Sequence, residues 1–187
     1  VPRAGLDRAA VVGAGAALAD EVGLTGLTMG LLADRLGVRT PSLYKHVAGQ
    51  DDLIRGIAAL ALHETAEAVG GAVQGRAGSD ALAAAARAFR TFVVEHPGRY
   101  AATIGQEPSG PDDPLAEAGE RLLGAFTAVL RGYETDGPAV NHALRMLRSL
   151  CHGFATLEAA HAFQWSTDID QSFEWLVAFA DRGLRAM

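Results

Sequence analysis

Apolar positions recur every three or four residues along almost the whole chain, and no stretch shows the strict alternation of a half-buried strand. Val11, Ala14, Leu18 and Val22 predict a first helix over residues 7–22. After a turn at Gly23–Gly26, Leu31, Leu32 and Leu36 predict a second, short helix with Thr28 as its N-cap. Gly37-Val38-Arg39 breaks it, because glycine takes a left-handed backbone past a helix end and lets the chain turn sharply. Thr40 then predicts the cap of a third helix, with Pro41 at its first position, where a missing N–H costs nothing. Leu43 and Val47, four apart, would bury against the second helix.

Ala48-Gly49-Gln50 is the next break. Asp51 and Asp52 open a fourth helix, where carboxylates meet the positive end of the helix dipole. Leu53, Ile57, Leu60 and Ala61 carry it to about Val69, and the glycine-rich run 70–79 reads as a connector. Further helices are predicted over 80–96, over a short piece at 99–104, and, after a loop at 105–112, from the Asp113-Pro114 cap to about 133. A long one at 138–163 and a last one at 170–184 follow. The expected fold is therefore all-α with about nine helices. Residues 1–50 form an N-terminal three-helix, helix-turn-helix domain, and residues 51–187 a larger helical domain, with the boundary inside the fourth helix or in the connector.

Composition narrows the function classes. The chain has 187 residues, 49% of them hydrophobic, and a formal charge of −6, which suits a globular protein rather than a disordered one. No apolar run is long enough for a membrane span and the first residues lack a signal-peptide core, so no membrane partner and a cytoplasmic location are expected. The absence of an initiator Met suggests residues upstream of Val1. One cysteine, Cys151, excludes an intramolecular disulfide.

The acidic balance argues against coating nucleic acid wholesale, but charge distribution decides a local interface. Arg39, Thr40, Ser42, Tyr44, Lys45 and His46 are expected outside the third helix, a set of donors and cations with no carboxylate. Lys45 is the only lysine in the chain. Such a helix suits a phosphate-lined groove.

Other motifs are weaker. Val11-Val12-Gly13-Ala14-Gly15 resembles the start of a dinucleotide loop, but that chemistry needs a strand before it and a small third residue, and here Leu18 stands at the third position. His63 and Glu67 are one turn apart without the second histidine of a zinc helix, and Glu158-x-x-His161 has no twin motif for a di-iron site. No nucleophile setting is recognisable, so neither catalysis, metal nor cofactor is expected. The two C-terminal helices have wide apolar faces, which suggests a homodimer through Leu147, Phe154, Leu157, Phe173, Leu176, Val177, Ala180 and Leu184. Phe89, Phe92, Tyr100, Phe126, Met146 and His152 are the candidates to line a ligand pocket after Asp80.

The run LTMGLLADRLGVRTPSLYKHVAGQDDLI, Leu27 to Ile54, resembles the DNA-binding domain of the tetracycline-repressor family through its L-G-V turn, its S-L-Y-x-H run and its D-D-L-I start. Leu150-Cys151-His152-Gly153 resembles the signature of a subgroup with a tryptophan/leucine-His-Gly motif. The resemblance implies a homodimeric regulator, most often a repressor, released from palindromic double-stranded operator DNA by a small-molecule inducer. It implies that Thr28, Tyr44 and His46 contact phosphates and that Arg39, Thr40, Pro41, Ser42 and Lys45 lie over bases. Gln50 stands where the family commonly has a backbone-gripping lysine, and Met29 and Gly30 stand where polar or basic residues are common. With the net charge, these departures leave an alternative: a helical ligand- or partner-binding module without sequence-specific DNA binding.

Overall fold

The computed structural model describes residues 6–133 and 135–186. Residues 1–5, part of the stretch read for a leader, lie outside the described residues. Nine α-helices and one 3-10 turn account for the secondary structure among the described residues. They are α1 (Arg8–Val22), α2 (Met29–Leu36), α3 (Thr40–Leu43), α4 (Gln50–Val73), α5 (Gly78–Glu95), α6 (Pro97–Ala102), α7 (Pro114–Leu130), α8 (Gly137–Ala159) and α9 (Ile169–Arg185). The chain folds into two compact units, one of residues 1–62 with 96–118 and one of residues 63–95 with 119–187. The division falls inside α4, between Leu62 and His63, and inside α7.

The first unit is built on α1. Asp7 caps it by accepting from the Ala10 N–H at 2.7 Å. Val11, Val12, Ala16, Leu18 and Ala19 are buried, while Val22 is 43% exposed, so the inward face is centred one residue away from the predicted stripe. The apparent dinucleotide loop lies within this helix, and its second glycine is a packing device. A Cβ on Gly15 would stand 3.0 Å from a Leu53 methyl, where α4 crosses α1. Leu27, Leu32, Leu43, Val47, Leu53 and Ile57 complete a core that Ala102 and Leu115 also join.

Two local expectations change. In α2, Met29, Leu32 and Ala33 face inward and Leu31 is 45% exposed, so Met29 is a core residue rather than a lost polar contact. The glycine-rich run after α4 is mostly helical: α4 continues to Val73 and α5 already begins at Gly78. An α-helix needs only a few residues to reverse, and Gly75 and Gly78 supply the left-handed backbones, at φ of 70° and 54°.

In the second unit α5, α8 and α9 pack together. Arg90 joins all three, donating from Nε and Nη2 to the two Glu158 oxygens at 2.6 Å each and pairing with Asp170 at 2.7 Å. Its guanidinium also lies 4.8 Å from the Phe173 ring centroid. Glu158, half of the notional E-x-x-H pair, is thus committed to a structural ion pair. At the far ends of these helices, Asp181 accepts from the Tyr133 hydroxyl at 2.6 Å and the Ser79 hydroxyl at 2.7 Å.

Candidate nucleic-acid interface

The candidate interface is assembled from three short segments of the first unit. Thr28 caps α2: its Oγ1 accepts from the Leu31 N–H at 3.2 Å, which leaves the hydroxyl proton of this exposed residue available as a donor. Gly37 ends α2 at φ 65° and ψ 32°, and the Val38 N–H closes back on the Ala33 carbonyl at 3.0 Å. This reversal brings α3 against α2.

The start of α3 differs from expectation by one residue. Arg39, not Thr40, holds the N-cap position, in extended conformation and without a side-chain cap bond. Thr40 is already helical, and proline fits there because the first helical N–H groups have no partner inside the helix in any case. The helix is also shorter than the stretch to Val47. It ends at Leu43, and residues 44–46 continue as turns held by His46 N–H to Leu43 O, 2.8 Å, and Val47 N–H to Leu43 O, 3.0 Å.

Leu43 and Val47 are buried at 0% and 2% exposure, so the neighbouring side chains point away from the core. Arg39, Pro41, Tyr44 and Lys45 are exposed, and Thr40, Ser42 and His46 are half-buried. Among the described residues neither Arg39 nor Lys45 has an ion-pair partner, whereas the other two cations of α1 and α2, Arg8 and Arg35, are bound to Asp52 and Glu21. The face therefore offers two uncommitted cations and several hydroxyl or ring donors, the set that phosphate and base edges accept from.

Three residues whose part sequence reasoning missed hold this face in place. Gln50 donates from Nε2 to the Leu27 carbonyl at 2.7 Å, so the side chain at this position is a neutral internal strut. Arg8 donates to both Asp52 oxygens, at 2.7 and 2.8 Å, and from the same Nη1 to the His46 carbonyl at 3.1 Å. Asp52 in turn accepts from the Ala48 N–H at 2.8 Å. The Arg8 hydrogen bonds, ahead of the Ala48 N–H, hold the Asp52 carboxyl down at about 2. These partners are 38 and 44 residues apart, and no local spacing signals them.

The remaining candidates divide between the two units. Tyr100 is buried in the first unit, on α6. Phe89, Phe92, Phe126, Met146 and His152 belong to the second, where Phe89 meets Phe126 edge-on at 6.1 Å and Met146 and His152 are half-buried. Of the dimer set, Leu147, Phe173, Val177, Ala180 and Leu184 are buried within the single chain, between 0% and 7% exposed. Phe154 and Leu176 are half-buried and Leu157 is 47% exposed. The aromatic surface of α9 lies on its other side, at Trp175 and Phe179, 66% and 53% exposed.

Residues 82–180 match the family described as tetracyclin repressor-like, C-terminal domain. The HTH-type transcriptional regulator YobS of Bacillus subtilis (strain 168) is 32% identical over 94% of this chain and 91% of its own length. Two solved structures have the same fold at a TM-score of 0.68 and 25% identity. One is a TetR variant from Acinetobacter baumannii AYE in complex with minocycline, covering 95% of this chain and 96% of that one. The other is BioQ with its double-stranded DNA operator, covering 97% and 99%.

Proposed function

The chain belongs to the tetracycline-repressor (TetR) family of helix-turn-helix transcriptional regulators, and from this premise we propose how it works: as a cytoplasmic homodimeric repressor that a small apolar inducer releases from a palindromic operator. It is a ligand-responsive DNA-binding regulator and not an enzyme. Residues 1–50 are the DNA-reading head and residues 51–187 the ligand-binding and dimerising part. The run Leu150-Cys151-His152-Gly153 supports a place in the tryptophan/leucine-His-Gly subgroup.

The observation that carries the reading is the pair of uncommitted cations, Arg39 and Lys45, on either side of buried Leu43. A helix anchored by one buried leucine turns its remaining side chains toward a groove. Arg39, Thr40, Pro41, Ser42 and Lys45 lie over bases, while Thr28, Tyr44 and His46 take phosphates. The five residues placed over bases, three of them in the four-residue α3, read only a few base pairs, so a palindrome read by two copies, with half-sites about 34–36 Å apart, supplies the missing specificity. An inducer that favours a different spacing of the two heads weakens binding by its differential affinity for the two states. Phe89, Phe92, Phe126, Met146 and His152 are the residues we assign to its pocket.

The experiment is an anisotropy titration of the full chain with a duplex enriched from a random library by selection on the protein. Lys45→Ala or Arg39→Ala is expected to weaken binding by ~1–3 kcal/mol where the residue reads a base, with the dimer intact. A selection that enriches no duplex, or affinities unchanged by both substitutions, rejects the reading.

A further inference from the structure

Three side-chain contacts, two from the first turn of α4 and one from Arg8 of α1, hold the backbone at both edges of the DNA-facing surface. Gln50 holds the Leu27 carbonyl, one residue before Thr28. Asp52 holds the Ala48 N–H, and Arg8, clamped onto Asp52, holds the His46 carbonyl. Between these anchors run Thr28 at one edge and Tyr44, Lys45 and His46 at the other.

This stretch needs external support. With α3 ending at Leu43, residues 44–46 are a turn tied back through the His46 and Val47 N–H groups to the Leu43 carbonyl, and Leu43 and Val47 are its nearest buried anchors. A guanidinium at the carbonyl end of a helical turn meets the negative end of its dipole, and a carboxylate on the next N–H fixes the chain direction after it. The bracket also brings no usable charge to DNA. Gln50 is neutral, and the Arg8 guanidinium is engaged by both Asp52 oxygens.

We propose that Arg8, Gln50 and Asp52 are positioning residues that set sequence discrimination by fixing the backbone at Leu27 and at 46–48, without themselves contacting phosphates. The proposal rests on the DNA-reading function above. A positioning role separates two quantities that a phosphate contact moves together. Specific binding depends on the register of Tyr44, Lys45 and His46, whereas non-specific binding depends on the number of free cations.

The test uses the full chain, the selected duplex and a shuffled duplex of the same composition, titrated from about 50 to 200 mM salt. Asp52→Asn and Gln50→Ala are each expected to weaken binding to the selected duplex roughly tenfold, the range of a charge-assisted or buried hydrogen bond. The shuffled duplex is expected to bind as before and the salt slope to stay unchanged. Lys45→Ala serves as the contrast and weakens both. If Asp52→Asn instead tightens the shuffled duplex and steepens the slope by ~0.9, Arg8 is a phosphate contact masked by Asp52 and the proposal fails. Equal losses on both duplexes, or none on either, also overturn it. Gln50→Ala changes no charge and keeps the test alive should Asp52→Asn unfold the head. If wild-type protein enriches no duplex at all, the DNA-reading function itself falls and takes the bracket with it, an outcome distinct from variants that bind like wild type.

Discussion

Gly98 lies so close to Ala19 that a Cβ at position 98 would stand 1.9 Å from the Ala19 carbonyl oxygen and 2.6 Å from the Asp20 nitrogen. Both are backbone atoms of α1 and have no rotamer with which to yield. Asp20 reinforces the crossing, accepting from the Arg99 N–H at 2.8 Å and lying 3.1 Å from His96 Nδ1. Gly98→Ala must therefore push α6 off α1, and we expect a loss of ~3 kcal/mol or more in urea unfolding. Gly13→Ala is the opposite case. Gly13 sits within α1 with nothing near its Cβ direction, so alanine is expected to stabilise by ~0.5–1 kcal/mol. Similar effects from the two substitutions would show that the close approach is not a constraint.

How much of this was legible in the sequence depended on whether a feature was local. Thr28, Gly37 and the Leu43/Val47 pair report on backbone within one turn of themselves, and the structure uses them as expected. Leu31 was misread because an eight-residue helix has barely two turns, too few for a period to separate two adjacent leucines. The role of Gln50 was invisible because its partner is 23 residues away. In α9 the regular stripe Phe173, Val177, Ala180 and Leu184 was real, but periodicity cannot say whether a stripe faces its own chain or another.

Asp52 gives the head a defined acid sensitivity. Its carboxyl is held at about 2 in the folded chain, against about 3.9 for an unfolded aspartate. A depressed carboxylate stabilises above its unfolded value and loses that contribution as pH falls through the folded one. Because Asp52 keeps 29% of its side-chain exposure, the contribution is on the order of 1–2 kcal/mol. Urea midpoints of wild type and Asp52→Asn should differ most above pH ~4 and converge near pH ~2. A gap independent of pH would mean that the carboxylate charge is not what Arg8 recognises.

Cys151 should be inert while the chain is folded. It is 3% exposed on α8, and burial pushes its thiol up to about 12. Since the thiolate is the reacting species, almost none is present near neutral pH. Native protein at pH ~8 is expected to resist a thiol-specific disulfide reagent for hours, and one equivalent should react at once in concentrated urea. Rapid labelling without denaturant would reveal frequent opening of α8.

Trp175 and Phe179 stack at 5.8 Å with their planes 14° apart, on the face of α9 that the single chain leaves uncovered. Aromatic rings are the side chains that gain most from leaving water, on the order of 2 kcal/mol each, and a two-fold contact would bury four of them. We expect this face, rather than the buried stripe of α9, to pair two copies. Trp165 is the only other tryptophan in the chain, so Trp165→Phe leaves Trp175 as the sole reporter. Its emission should shift to the blue as concentration rises and copies associate. Phe179→Glu should abolish that shift, weaken the dimer by at least ~100-fold through a charge placed in an apolar contact, and leave helical circular dichroism intact. Light scattering that finds wild type and Phe179→Glu equally dimeric would move the interface elsewhere on the chain.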